Sequence, residues 1–239
     1  MFPYSRQFVS KKDIDAVKKV LKSDFLTQGK KVIELEKKVS KVVNSKFSIA
    51  VNSATSALHI ACLSLGIKKN DYLWTSSNTF VASANCGRYC GAKVKFLDID
   101  PDTYNICPYN LEKELKRAKI KKKLPKIVVV VHMAGLPADM FKIKKLSDKY
   151  NFKIIEDASH ALGSKIGDEK TGSCKFSDIT IFSFHPVKII TSGEGGLATT
   201  NNFKLFKKMK LFREHGIERS NFKNKKSAKF KWYYEQHVL

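Results

Sequence analysis

The sequence predicts an α/β protein built on a seven-stranded, mostly parallel sheet with helices on both faces. Short β-branched runs recur along the chain with helical periodicity between them, the pattern of strand–helix alternation. Those runs are continuously apolar rather than alternating, as expected of strands covered on both sides. The polar residues with chemical promise fall just after such runs, at the carboxyl ends where parallel sheets bind ligands.

Taken in order, Ser10-Lys11-Lys12-Asp13 caps an amphipathic helix carrying Ile14, Val17, Val20 and Leu21. Thr27-Gln28-Gly29 turns the chain into a second helix with Val32, Ile33, Leu35, Val39 and Val42 on one stripe. Alternation follows. Strands are predicted at 47–51, 72–75, 94–97, 127–131, 153–156 and 179–183, with a late addition at 196–200. Helices are predicted at 56–65, 80–89, 111–119 and 139–150, and a long one follows Thr200 through Phe203, Leu205, Phe206, Met209, Leu211 and Phe212. From Ile217 to Leu239 the chain is polar and then aromatic (Phe230, Trp232, Tyr233, Tyr234). No capping signal closes that segment, so 1–216 reads as the domain and 217–239 as the start of a connection.

With 239 residues the chain can bury a sizeable core, and 43% hydrophobic with 28% charged residues is an ordinary globular balance. No uninterrupted apolar run approaches ~20 residues and the first residues lack a signal-peptide pattern, so a cytoplasmic protein without a membrane partner is expected. Five cysteines (Cys62, Cys86, Cys90, Cys107, Cys174) form no C-x-x-C pair, which argues against a disulfide framework or a zinc site. They read as reduced thiols, several of them buried. A net charge of +23 invites a nucleic-acid reading. Yet only Arg6, Arg88, Arg117, Arg213 and Arg219 among the 45 basic residues are arginines. Runs such as Lys119–Lys123 and Lys223–Lys226 carry no interleaved aromatics, so no nucleic-acid partner is expected. A positive field would still suit a nucleotide-bearing substrate.

The chemistry concentrates in Phe182-Ser183-Phe184-His185-Pro186-Val187-Lys188 and the glycine-rich Gly193-Glu194-Gly195-Gly196. A lysine at the mouth of a sheet, hemmed by Phe184, Val187, Ile189 and Ile190, is poorly solvated. Desolvation lowers a lysine pKa, and a neutral amine can form a Schiff base with an aldehyde. Considered alone, Lys188 is one more surface lysine in a lysine-rich chain. Asp157, one residue past its strand, could be a helix cap or an acid set against a pyridine nitrogen. Asn52–Leu58 joins strand to helix in small hydroxylated residues, where free N–H groups and Thr55 suit a phosphate, and Ser183 adds a hydroxyl. Phe80 could stack on a cofactor ring, though taken singly it reads as core. His132 has no evident partner and reads as core or support. Asp98 and Asp100 read as loop caps, and His185 and Glu194 are tied to the motif by position alone.

Together, Asn52–Leu58, Thr79–Ala82, Phe96–Asp100, His132–Gly135, Glu156–Gly163, Ser183–Lys188 and Gly193–Gly196 resemble the DegT/DnrJ/EryC1/StrS family of pyridoxal-phosphate sugar aminotransferases. The match runs in order along essentially the whole chain. The resemblance implies the large domain of a fold type I PLP transferase, with pyridoxal 5'-phosphate bound to Lys188. It further implies Asp157 at the pyridine nitrogen, His160 near the phenolic oxygen, Phe80 stacked on the ring, and Ala54, Thr55 and Ser183 at the phosphate. Tyr4–Gln7, Leu26–Gly29, His132–Met140 and Trp232–Glu235 most resemble the branch that aminates a UDP-linked 4-keto-6-deoxy N-acetylated hexose in pseudaminic acid synthesis. Glutamate would be the amino donor, and full-length members would be homodimers. Family members continue into a small C-terminal domain and an Asn-Tyr-Arg-like segment for the partner's phosphate site, both missing from this sequence. Alternatives are an inactive truncated form, an aminotransferase for a different nucleotide sugar, or a dehydratase on the same scaffold. The last of these replaces the lysine by histidine and is disfavoured by Lys188.

Overall fold

The computed structural model describes residues 5–218 and 232–237. Expectations resting on Tyr4, Arg219, Lys223–Lys226, Phe230, Val238 and Leu239 lie outside the described residues. Two helices come first, α1 (Lys11–Leu21) and α2 (Lys30–Val43). Then follow β1 (Phe47–Val51), α3 (Ala54–Ser64), β2 (Tyr72–Ser76), α4 (Ala82–Tyr89), β3 (Lys93–Leu97), α5 (Pro108–Ile120) and β4 (Ile127–Val131). A single 3-10 turn at Met133–Gly135 leads to α6 (Met140–Tyr150) and β5 (Lys153–Asp157). A small hairpin of β6 (Lys165–Ile166) and β7 (Glu169–Lys170) precedes β8 (Ile179–Ser183), β9 (Gly196–Thr200) and α7 (Phe203–Arg213). Finally β10 (Ile217–Glu218) pairs with β11 (Glu235–Gln236). Neither two-stranded sheet was expected, because two-residue strands leave no periodicity to read.

All seven expected strands join one sheet in the order β1-β9-β8-β5-β4-β2-β3. Neighbours are parallel from β3 across to β8, whereas β9 is antiparallel to both β8 and β1. One strand out of seven is therefore reversed, and the carboxyl ends of the other six share one edge.

Strand alternation splits the core into two layers. Ile127, Val129, Ile155, Ile179, Ile181 and Ala198 face α3, α4 and α7, packing on Leu58, Ala61, Cys62, Cys86 and Met209. The intervening Trp74, Val128, Val130 and Ile154 face α5 and α6 through Leu111, Leu115, Met140, Ile143 and Leu146. On that same side Phe182 and Leu197 meet Val39 and Val43 of α2. Every residue of β4 is buried. At ~1.5–3 kcal/mol for each fully buried aliphatic side chain, that strand anchors both layers. Edge strand β3 carries Lys93 and Lys95, charges that discourage pairing with another sheet.

Helix boundaries follow local chemistry. Ser10 and Asp13 form a reciprocal capping box on α1, as the sequence suggested. Its apolar stripe forms but buries no residue, leaving Ile14, Val17 and Leu21 exposed. Helices α2 and α6 end on left-handed asparagines, Asn44 and Asn151. Pro108 opens α5 earlier than Leu111, where proline's fixed φ suits a first helical turn. Helix α4 starts at Ala82 rather than Phe80, with Thr79 and Phe80 in the preceding loop. Among the described residues no helix is long and apolar enough to cross a membrane. All five cysteines are free thiols, Cys62, Cys86 and Cys174 being buried.

Candidate functional site at the carboxyl edge of the sheet

Asp157 is the last residue of β5, a correction to the expectation that it follows the strand; it pairs with Val131 on one side and Ile181 on the other. Strand pairing thus fixes its backbone, and hydrogen bonds fix its carboxylate. The Ser83 hydroxyl donates to Oδ2 at 2.6 Å. Ser159 donates to Oδ1 through its hydroxyl at 2.6 Å and its backbone N–H at 3.2 Å.

Lys188 lies in the loop between β8 and β9, in a turn closed by its N–H on the His185 carbonyl at 2.9 Å. The base of the loop is pinned by Phe184 N–H to Gly195 O (2.9 Å) and Ser192 N–H to Phe184 O (3.0 Å). The Lys188 Nζ is 2.6 Å from His160 Nε2. Burial pushes the lysine pKa below its ordinary value, and the negative charge of Asp157 opposes that shift. The expected hydrophobic surround is only partly present. Phe184 is buried, but Val187, Ile189 and Ile190 are exposed, because the turn after Pro186 carries them outward. A half-buried position against His160, with Phe184 at the base of the loop, is what the amine has instead. His160 is itself pushed towards the neutral imidazole by burial first and by Lys188 second, against the pull of Asp157. A neutral ring offers one lone pair to a neighbouring donor.

At the other end of the edge, the Ser53 side chain caps α3 by accepting the Ser56 N–H at 3.1 Å. The N–H groups of Ala54 and Thr55 belong to the open first turn, where a helix has no internal acceptors to offer. Strand β9 begins directly against that turn. A Cβ on Gly196 would lie 2.3 Å from the Ser53 carbonyl carbon and 2.4 Å from the Ala54 nitrogen. Only glycine lets the two backbones meet, which gives the glycine-rich motif its reason. Ser183, opposite Gly196 in the sheet, accepts the His185 N–H at 3.4 Å.

Phe80 is 72% exposed, so its reading as a core residue is overturned. The loop that presents it also carries Thr79, whose hydroxyl donates to Ser83 at 2.9 Å. Phe80 and the Asp157 contact are therefore built by one short segment.

His132 has the partner that the sequence did not reveal. It is 0% exposed, and its Nε2 lies 2.8 Å from Oε2 of Glu156, itself 2% exposed. The Ala138 N–H donates to Nδ1 at 3.2 Å, so the ring proton sits on Nε2 and is given to Glu156. Oε1 of Glu156 accepts from Thr180 Oγ1 at 2.9 Å and from Ser177. Desolvation pushes this carboxyl up, but the donors from His132, Ser177 and Thr180 outweigh it and hold it below the ordinary glutamate value. Glu156 and Asp157 are neighbours on one strand and so point to opposite faces.

Asp100 caps its loop through Asp102 and Thr103, as expected, and Asp98 accepts the Ile99 N–H at 2.9 Å. His185 and Glu194 face each other at 3.9 Å on the exposed rim. Sequence reasoning missed Ser83, Ser159, Thr79 and Glu156. The one available signal was Glu156, an acid inside an otherwise apolar buried strand.

The residues present fit a flat, aldehyde-bearing phosphate cofactor. The half-buried amine has an imidazole beside it and a fixed carboxylate near enough to act on both. The first turn of α3 is left clear of side chains by Gly196, and an aromatic ring stands out of the packed core.

Comparison with known proteins agrees with that chemistry. The profile of the DegT/DnrJ/EryC1/StrS aminotransferase family matches residues 7–232. UDP-4-amino-4,6-dideoxy-N-acetyl-beta-L-altrosamine transaminase of Campylobacter jejuni (strain 81-176) is 44% identical over 91% of this chain and 56% of its own length. Among solved structures, Helicobacter pylori PseC, an aminotransferase of pseudoaminic acid biosynthesis, is similar with a TM-score of 0.85 and 33% identity. It covers 100% of this chain, which spans 60% of it. The putative sugar aminotransferase Spr1654 of Streptococcus pneumoniae, in its PMP-form, gives a TM-score of 0.86 at 26% identity over 100% of this chain and 62% of its own. This chain thus spans somewhat over half the length of these relatives. With the profile matched over nearly its whole length, the chain belongs to the DegT/DnrJ/EryC1/StrS aminotransferase family.

Proposed function

We propose that this chain carries the cofactor-binding half of a pyridoxal-phosphate-dependent sugar aminotransferase. Its substrate would be a UDP-linked 4-keto-6-deoxy N-acetylated hexose, and glutamate the amino donor. The observation that carries the reading is the convergence of Lys188, His160 and Asp157 at the carboxyl edge of the sheet. When bound, pyridoxal phosphate supplies an electron sink that no protein side chain provides.

The chain's own residues do the rest. Burial lowers the Lys188 pKa and so favours the neutral amine that would hold the coenzyme aldehyde. The same amine would be placed to carry a proton to and from the reacting carbon. His160, 2.6 Å from Lys188 Nζ, holds the amine in place. Asp157, held by Ser83 and Ser159, would face a pyridine nitrogen and favour its protonated form. Ala54 and Thr55 offer the first turn of α3, with the Ser183 hydroxyl across the sheet edge, to a phosphate. Phe80 supplies a flat face for stacking. The similarity to the Campylobacter and Helicobacter proteins supports the sugar assignment.

Incubation of the chain with pyridoxal phosphate tests the reading. Expected are a new absorbance band and, after borohydride reduction, an adduct that peptide mapping places on Lys188. An adduct spread over surface lysines with no band would refute it. Conversion of glutamate to its keto acid by the loaded protein tests the donor separately.

A further inference from the structure

We infer that Ser83 is a positioning residue for Asp157, fed by Thr79 in a one-way chain of hydroxyl hydrogen bonds. Ser83, the second residue of α4, is 0% exposed, and its Oγ reaches across to Oδ2 of Asp157 at 2.6 Å, a residue 74 positions away.

The direction of that bond is set by the acid, because a carboxylate can only accept. With its proton given to Oδ2, Ser83 Oγ accepts from the Thr79 hydroxyl at 2.9 Å, the nearer of that hydroxyl's two acceptors, the other being the Phe80 carbonyl at 3.2 Å. A carboxylate offers about four acceptor positions. Two on Oδ1 are taken by Ser159 and one on Oδ2 by Ser83, which leaves a single position, on Oδ2. Four donors to one acid would leave nothing for a ligand, and fewer would let the group turn about its last bond. The count is right for presenting one lone pair in one direction to one N–H donor. Because Thr79 immediately precedes Phe80, the segment that presents the exposed ring also aims the acid.

This inference rests on the reading of Asp157 as the ring-nitrogen partner, and its test separates the two. Pyridoxal phosphate is titrated into the chain, into Ser83→Ala, Thr79→Val and Asp157→Asn, and into Ser83→Ala combined with Asp157→Asn. Dissociation constants and the pH midpoint of the lysine-linked absorbance are read. Ile143→Val, a packing change in the opposite layer, controls for lost stability.

Ser83→Ala is expected to weaken binding about tenfold, ~1.4 kcal/mol, and to shift the midpoint. Thr79→Val should move both the same way by less, and Ile143→Val should move neither. In the Asp157→Asn background Ser83→Ala should add nothing beyond twofold, since a residue acting through the acid has no second route. An equal loss in both backgrounds, or wild-type affinity in Ser83→Ala, overturns the inference while an effective Asp157→Asn leaves the reading of Asp157 intact. A silent Asp157→Asn overturns both. Should Ser83→Ala fail to fold, Thr79→Val alone and with Asp157→Asn gives the same cycle.

Discussion

Replacing His132 by alanine is expected to be among the most damaging single changes to the stability of the described fold. The substitution removes the Nε2–H that Glu156 accepts at 2.8 Å and leaves a carboxylate that is 2% exposed without its strongest donor. Breaking a buried pair from one side costs about 3–5 kcal/mol. The stranded Ala138 N–H and an imidazole-sized void act in the same direction, without simple additivity. At ~2–4 °C per kcal/mol for a chain of this size, the melting temperature should fall by roughly 6–20 °C. The sign with pH is also fixed. In the native protein the Glu156 pKa is depressed, so its stabilisation is complete above the ordinary value of 4.5 and is lost as pH falls through the folded value. In His132→Ala the buried acid loses that support and its pKa rises, so the cost of the substitution should grow between pH 5 and pH 7.5. Urea denaturation of the cofactor-free chain at both values measures it. Combining the change with Glu156→Gln should recover part of the loss, because a neutral amide has no charge to strand. A loss below about 1 kcal/mol at pH 7.5, or one independent of pH, would show that the pair is not the electrostatic lock inferred from its burial.

Other outcomes follow from the same geometry. Lys188→Ala should abolish the borohydride-trapped adduct yet retain non-covalent cofactor binding, which equilibrium dialysis separates from the absorbance change. Covalent capture by the unsubstituted chain should accelerate with pH and reach half its limit below the ordinary lysine value of 10.5, since burial favours the neutral amine; stopped-flow absorbance tests this. Gly196→Ala should destabilise the fold by about 1–3 kcal/mol, because the new methyl meets the Ser53–Ala54 peptide at 2.3–2.4 Å; thermal unfolding with and without cofactor reads both effects. Phe80→Ala should leave stability within about 0.5 kcal/mol, the ring being exposed, while weakening cofactor retention.

The sheet was largely legible because its signal is local: five consecutive buried positions in Ile127–Val131 leave no other economical reading. Strand ends then marked the sheet edge on which Asp157, Lys188 and Ser183 lie. What escaped was the set of contacts joining residues far apart in sequence. Ser83 looks like any small residue packed under a sheet, and only the packing of α4 against β2, β3 and β4 brings it to Asp157. His132 and Glu156 are 24 residues apart, and the partnership depends on the register of β4 with β5. The hydrophobic surround of Lys188 was misjudged for the converse reason. Sequence neighbours are not spatial neighbours once a proline turn has splayed them.

The reversal of β9 has a mechanical corollary. A lysine on an ordinary parallel connection would hang from a crossover that returns to the far edge of the sheet. Here the chain leaves at Ser183 and re-enters beside it at Gly196, so both feet of the loop stand on adjacent, hydrogen-bonded rungs. The amine can swing on its own four-carbon arm while its anchorage stays still, and substitutions elsewhere in the loop tune the swing without unseating the base.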